Sequence, residues 1–500
     1  MSEAPRSITL SLVSHTNAGK TTLARTLLGR DVGDVRDEAH VTTSAERFVL
    51  IETAQGDTLY LWDTPGFGDS ARLARRLAAT EQPIVGLLAA TWDRWRDRAF
   101  WFTQQAVRNV RDEADVVLYL VNAAEAPSDA GYLDAELQIL EWIGKPVIVL
   151  LNQTGPPRAP QVEEAEIARW RDAVARPCVT GLLSLDAFAR CVVQESVLLR
   201  EVAPVLPADK QAAFTRVFDA WRAERDRRFA ASMIAIAGPI AKAACEREAL
   251  KPATWHRSLV DTGLALVRRG ERVDPDKDAA MAQLAHRLDD AIRTSTNALI
   301  EIQQLRGEAA DEVMARLARD VTLEAPLDAR KAGVIGGVVS GALTGLAADI
   351  ASGGLTFGAG ILAGAIVGAA GGVGVARAFN LVRGRNEACV RWADEFVASL
   401  FPAAVLRYLA VAHYGRGRGD YEASEYPAFW RDVVNAEVER HDVGGVVALR
   451  HREPCDVEAV SLAATRTLAG IAIGVLDTLY PSAEMPALPA PRASAENEPG

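Results

Sequence analysis

Residues 14–22 read Ser-His-Thr-Asn-Ala-Gly-Lys-Thr-Thr, between an alternating β-forming run (SITLSLV, 7–13) and a helical run from Thr22 to Leu28. Few arrangements constrain a fold more. A strand that turns through a Gly/Lys loop straight into a helix points successive backbone N–H groups at one spot and adds the positive end of the helix dipole. The spacing matches G-x-x-x-x-G-K-[ST] with Ser14 in place of the first glycine. It predicts a phosphate cradle made of Ser14, His15, Thr16, Asn17, Ala18, Gly19, Lys20, Thr21 and Thr22. Lys20 reaches the β- and γ-phosphates, and the Thr21 hydroxyl holds Mg²⁺. The plain alternative is a strand–turn–helix without a ligand.

The chain around the loop supports a doubly wound α/β domain with a mostly parallel sheet. Residues 46–53 and 57–63 flank a Gln-Gly-Asp turn and read as a hairpin. Asp115–Asn122 and Pro146–Asn152 are continuous apolar runs, as expected of strands covered on both faces. A helical pattern from Tyr132 to Trp142 lies between them, and Val179–Leu185 is a weaker last strand. Strand signals then stop. The expected division is 1–203 for this domain, 204–330 helical, 331–384 a glycine-rich apolar hairpin, 385–480 helical again, and 481–500 a disordered tail rich in Pro, Ala, Ser and Glu. Everything after 203 is expected to be all-α.

Asp63-Thr64-Pro65-Gly66 closes a strand downstream of the loop. An aspartate there can hold Mg²⁺ through water, and the Gly66 N–H can sense a γ-phosphate. Between the two motifs lies His40-Val41-Thr42-Thr43-Ser44, where Thr43 or its neighbour Thr42 can close on Mg²⁺. Lys20, Thr21, Thr43, Asp63 and Gly66 are the candidate catalytic set, and Thr21, Thr43 and Asp63 the Mg²⁺ set.

The order of phosphate loop, Thr-Thr and WDTPGFGDS resembles the translation-factor-class GTPases, in particular the Era and TrmE-like group, over about residues 7–200. The whole chain is similar to a bacterial family of Era-like GTPases with a C-terminal domain of unknown function. The resemblance implies a switch domain that binds GTP and GDP with Mg²⁺ and hydrolyses GTP. It also implies that Asn17 ligates K⁺, as in potassium-stimulated members; an asparagine that only stabilises the loop is the alternative. Two departures stand out. Phe67 follows the D-x-x-G element where Ras-type enzymes carry a water-orienting glutamine, so hydrolysis is expected to be slow unless a cation, a partner or dimerisation assists. The base-recognition motif reads Asn152-Gln153-Thr154-Gly155, with Asn152 and Gln153 in place but no carboxylate at Gly155. Asp186, in the faint third base-loop motif Ser184-Leu185-Asp186-Ala187, is a conceivable substitute.

Of 38 glycines, 14 fall between Ala332 and Ala376, at four-residue spacing in two sets: Gly333, Gly337, Gly341, Gly345, then Gly360, Gly364, Gly368, Gly372. Each set lines one helix face and lets two helices approach closely. Arg330 and Lys331 flank one end and Arg377, Arg383 and Arg385 the other, which suits a membrane hairpin with both ends cytoplasmic. The first arm, 332–348, gives about 25 Å of helix against a hydrocarbon core of about 30 Å. A soluble close-packed hairpin is the alternative. The expected partner is thus a membrane or membrane protein through 332–376, at the cytoplasmic face of the inner membrane, with a soluble cytoplasmic protein as the other option. A nucleotide-dependent homodimer is a further expectation.

Net charge is −11, so no nucleic-acid partner is expected. The five cysteines form no C-x-x-C pair, which predicts neither a disulfide framework nor a zinc site. The seven histidines show no metal-ligand spacing. Trp92, Trp95 and Trp101 cluster in a long segment that reads either as an effector helix or as a helix packed on the sheet. Taken together, the sequence predicts a slow, cation- or partner-stimulated GTPase coupling nucleotide state to a membrane or protein. A broad-specificity or ATP-preferring NTPase and a non-hydrolysing nucleotide-dependent scaffold are the rivals.

Overall fold

The computed structural model describes residues 5–16, 18–29, 46–79, 98–154, 160–186, 192–250, 275–305, 379–383, 388–414 and 428–488. Asn17, Thr42, Thr43, Gly155, Trp92, Trp95 and the glycine-rich stretch 332–376 lie outside the described residues. The chain forms two compact units: residues 1–226, 412–423 and 480–486, and residues 227–411, 424–479 and 487–500.

The first unit is built on a six-stranded sheet. Its strands are β1 (Ser7–Ser14), β2 (Glu46–Glu52), β3 (Thr58–Asp63), β4 (Val116–Asn122), β5 (Val147–Asn152) and β6 (Val179–Ser184), in spatial order β2-β3-β1-β4-β5-β6. All pairings are parallel except β2 with β3, the expected hairpin. The central strands show why their sequences run apolar without a break. Val117, Tyr119 and Val121 of β4 enter one core with Phe100, Leu137 and Trp170. Val116, Leu118 and Leu120 enter a second core on the opposite face with Leu23, Leu198 and Phe214. Successive side chains point to opposite faces, so a strand covered on both sides has no polar position to offer.

Helices α1 (Lys20–Leu28), α2 (Ser70–Ala78), α3 (Arg98–Glu113), α4 (Leu133–Ile143), α5 (Pro160–Ala173) and α6 (Val192–Val202) complete the two layers. In α3, Phe100, Val107 and Val110 are buried in the core and Trp101 is half-buried. β1 has β3 on one side and β4 on the other. The winding reverses at its carboxyl end, where open α/β sheets hold ligands.

The unit carries on beyond residue 203. The first turns of the next helix, α7 (Ala208–Cys245), bury Phe214 and Val217 in the second core. Lys210 Nζ bonds both Asp115 oxygens (2.8 and 2.7 Å), and Arg216 Nε donates to Asp57 Oδ2 (2.6 Å). Residues 480–486, all but Tyr480 expected in the disordered tail, also belong here. Arg222 Nε donates to Glu484 Oε1 (2.6 Å). Arg225, almost fully buried, donates to the Glu484 and Met485 carbonyls (3.0 and 3.2 Å).

The second unit is largely helical, with α8 (Pro275–Ile302), α9 (Asp394–Ala412), α10 (Ala428–Glu439), α11 (Val443–Ala448) and α12 (Val457–Leu479). It is not all-α. Strands β7 (Glu248–Ala249), β8 (Phe379–Arg383) and β9 (Ala388–Trp392) form an antiparallel sheet in the order β7-β9-β8. Runs of two to five residues are too short to show a period of two in the sequence. Contrary to expectation, Cys245 and Cys455 are joined in a disulfide, their Cα atoms 5.5 Å apart across 210 residues of sequence. Arg450 is fully enclosed, donating to the Ala244 carbonyl (3.0 Å), Asp394 Oδ1 (2.9 Å) and the Trp392 carbonyl (2.8 Å). Its burial pulls the guanidinium down to about 10. Among the described residues, three helices are long and apolar enough to cross a membrane: Ala208–Cys245, Asp394–Ala412 and Val457–Leu479.

The carboxylates that close the first unit set its acid stability. Arg216 holds Asp57 below its ordinary range, and Arg222 does the same for Glu484. A depressed carboxylate contributes its full stabilisation above the unfolded pKa of about 4 and loses it as pH falls through the folded value. We expect Glu484→Gln to lower stability at pH 7 by about 1–3 kcal/mol, and the loss relative to wild type to shrink below pH 4. Urea midpoints across pH 3–7 check this; an equal loss at every pH would count against it.

Candidate functional site

The phosphate loop sits where β1 hands over to α1. Gly19 carries a left-handed φ of 85°, and a Cβ there would stand 2.7 Å from Asn152 Nδ2. Both the conformation and the approach require glycine. Lys20 is buried in the first turn of α1 and its Nζ donates to Ser14 Oγ (2.8 Å). Burial pushes the ammonium below its ordinary range, while nearby Asp63 and Glu136 push it up. Thr21 Oγ1 donates to Asp63 Oδ2 (2.6 Å). The other oxygen, Asp63 Oδ1, is buried and accepts no hydrogen bond from the described residues, and burial raises this carboxyl above its usual range. An enclosed carboxylate oxygen beside a threonine hydroxyl is a donor set that fits a hard divalent cation and its water.

The segment after β3 closes against the loop. Thr64 Oγ1 donates to the Leu12 carbonyl (2.6 Å), and Phe67 N–H donates to the Ser14 carbonyl (2.9 Å). His15 and Phe67 form an isolated parallel bridge. Gly66 lies so near that a Cβ on it would be 3.1 Å from Thr16 Cα and 3.2 Å from Lys20 Nζ. The Phe67 ring is fully buried in the core shared with Leu73 and Phe100.

His15 does not reach outward from the loop. Its Nδ1 lies 2.7 Å from Glu136 Oε1, and its ring stacks on Tyr132 with centroids 4.2 Å apart. Tyr119 Oη donates to Glu136 Oε2 (2.8 Å). Glu136 is wholly buried, and burial raises its carboxyl pKa. The sequence reading passed over Glu136. The signal was present: it shares the inward stripe of α4 with Leu133, Leu137 and Leu140, where a carboxylate needs partners to be tolerated.

On the base side, Asn152 is buried at the end of β5 and its Nδ2 donates to the Ala18 carbonyl (2.8 Å). Gln153 follows with a φ of 59°. Asp186 Oδ2 accepts from Thr154 N–H (3.0 Å) and Thr154 Oγ1 (3.2 Å). The structure thus gathers Ser14, His15, Thr16, Ala18, Gly19, Lys20, Thr21, Asp63, Gly66, Asn152 and Gln153 at one end of the sheet. Asn17 and Thr43 are outside the described residues.

A buried lysine in a strand–loop–helix turn, facing an aspartate at the end of the neighbouring strand, defines the P-loop NTPase class. Residues 9–153 match the family described as 50S ribosome-binding GTPase, which makes the N-terminal domain a P-loop GTPase domain. Residues 171–443, more than half of the chain, match the family described as Domain of unknown function (DUF3482), and the protein belongs to that family. No curated protein matches the chain. Among solved structures it is similar to Aquifex aeolicus Era bound to GDP and aluminium fluoride, at 20% identity and TM-score 0.30, covering 40% of this chain and 57% of that one. It is also similar to Era in complex with MgGDPNP and a segment of 16S ribosomal RNA, at 19% identity and TM-score 0.31, covering 41% and 58%. A third is a probable GTP-binding protein engB, at 17% identity and TM-score 0.25, covering 39% and 97%. The chain spans less than two thirds of the Era chains.

Lys20→Ala removes the one buried cation of the loop. We expect it to abolish binding of a fluorescent GTP analogue followed by anisotropy; a titration curve matching wild type would refute the site.

Proposed function

We propose that the protein is a GTP-dependent switch that hydrolyses GTP slowly on its own and faster with a monovalent cation or partner. In this reading Lys20 neutralises phosphate charge, the loop N–H groups cradle the β-phosphate, and Gly66 N–H meets the γ-phosphate. Thr21, Thr43 and Asp63 would hold Mg²⁺, which when bound offsets charge on the phosphate oxygens. The observation that carries the reading is Phe67. It lies in the core with its N–H on the Ser14 carbonyl, so the residue that follows D-x-x-G offers no polar group to orient water. Asn17 is proposed to ligate K⁺ and supply part of what Phe67 withholds, with a nucleotide-dependent homodimer as the other source.

The output is proposed to be a membrane or membrane protein engaged through 332–376, at the cytoplasmic face of the inner membrane; a soluble cytoplasmic protein is the alternative. Net charge of −11 supports leaving nucleic acid out, and the RNA bound in the Era complex makes ribosomal RNA the control ligand. A second reading, a broad-specificity or ATP-preferring NTPase, draws on Gly155. A scaffold without hydrolysis draws on Phe67 and Ser14.

Phosphate release in K⁺ against Na⁺ at matched ionic strength tests the proposal. We expect stimulation of about tenfold or more by K⁺, lost in Asn17→Ala. Rates equal in both salts would overturn the cation role, and no release with or without partner would favour the scaffold. Carbonate extraction of membranes tests the output; clean release to the supernatant would sink membrane insertion.

A further inference from the structure

Guanine presents two donors side by side, N1–H and the N2 amino group, and a carboxylate accepts both. Adenine presents no such pair. Gly155 has no side chain to play that part. We infer that Asp186, on the neighbouring strand's loop, is the carboxylate that reads the purine edge, and so determines preference for guanine. This inference rests on the GTP reading above.

Three observations converge. First, the two loops are held together at the ends of adjacent parallel strands: β5 pairs with β6, and Leu185 N–H donates to the Leu151 carbonyl (3.0 Å), extending that pairing to the residue before Asp186. Second, Asp186 is bound to the base loop itself, through Thr154 N–H and Thr154 Oγ1. Third, the base loop touches the phosphate loop, through Asn152 Nδ2 on the Ala18 carbonyl (2.8 Å) and Gln153 Nε2 at 3.7 Å from where a Gly19 Cβ would stand. A nucleotide whose phosphates lie on 14–20 therefore carries its base toward 152–154, and the carboxylate tied to that stretch is within reach of the edge. Of the residues 152–154 and 184–186, Asp186 alone is acidic. Both bonds from Thr154 fall on Oδ2 and orient the carboxylate. The threonine then acts as the positioning residue for Asp186, fixing its rotamer before the base arrives.

The experiment uses the full-length protein and competition of GTP, ITP, XTP and ATP against a fluorescent GDP analogue. Wild type is expected to prefer GTP over ITP, which lacks the N2 amino group, by about tenfold or more, since a site built to hydrogen-bond a group rejects the analogue lacking it. Asp186→Asn reverses one partner: its amide donates to the xanthine O2, so XTP should gain at least tenfold as GTP falls by a similar factor. Asp186→Ala should lose GTP without gaining XTP. Asp186→Asn that binds GTP, ITP and XTP in wild-type ratios would reduce Asp186 to a loop clip and overturn the assignment alone. Wild type that binds GTP and ITP equally, while still preferring both to ATP, overturns it with no variant needed. Wild type that binds ATP as tightly as GTP overturns the guanine reading and this assignment together.

Discussion

The hydrogen bond from Phe67 N–H to the Ser14 carbonyl continues the β1–β3 pairing past the end of the sheet. It is the seam on which the site depends. On one side is the loop that holds phosphate; on the other is the Asp63–Gly66 segment. Lys20 bonds Ser14 within the loop, and Thr21 bonds Asp63 across the seam. Ser14, Lys20 and Asp63 are buried and Thr21 half-buried, so none can move without leaving another unsatisfied, at a cost of about 1–3 kcal/mol each. Under the proposed function, a γ-phosphate beside Gly66 would be accommodated by shifting the seam as a unit, which is what a switch with few stable arrangements requires.

Behind the seam, His15, Glu136, Tyr119 and Tyr132 bind the loop to α4 and β4. A wholly enclosed carboxylate costs several kcal/mol to desolvate unless hydrogen bonds compensate. Its partners come from the loop (His15), β4 (Tyr119) and α2 (Ser70), so that cost also fixes where the loop can rest. The loop is held in place from within the core.

The sheet and loop were legible in the sequence because their signals are dense. Strands β4 and β5 are apolar throughout since both faces are covered, and the loop motif is nine consecutive residues. The rest required three dimensions. Glu136 is one of three carboxylates in α4; its place on the Leu133–Leu137–Leu140 stripe points inward, but its partners His15 and Tyr119 show only in the fold. The three short strands of the second unit carry no period. Cys245 and Cys455 lie too far apart in sequence for spacing to pair them. The reach of the first unit to Asp226 rests on Lys210 and Arg216, surface-type residues whose partners Asp115 and Asp57 are distant along the chain.

The return of residues 480–486 to the first unit has a consequence for synthesis. Arg222 and Arg225 emerge from the ribosome well before Glu484, with the whole of 227–479 still to be made. At roughly 5–20 residues per second that delay is on the order of 10–50 s. The sheet can assemble in that interval, but the closing ion pairs cannot. The first unit thus begins to form long before it can finish, and its completion waits until all of 227–479 has been made.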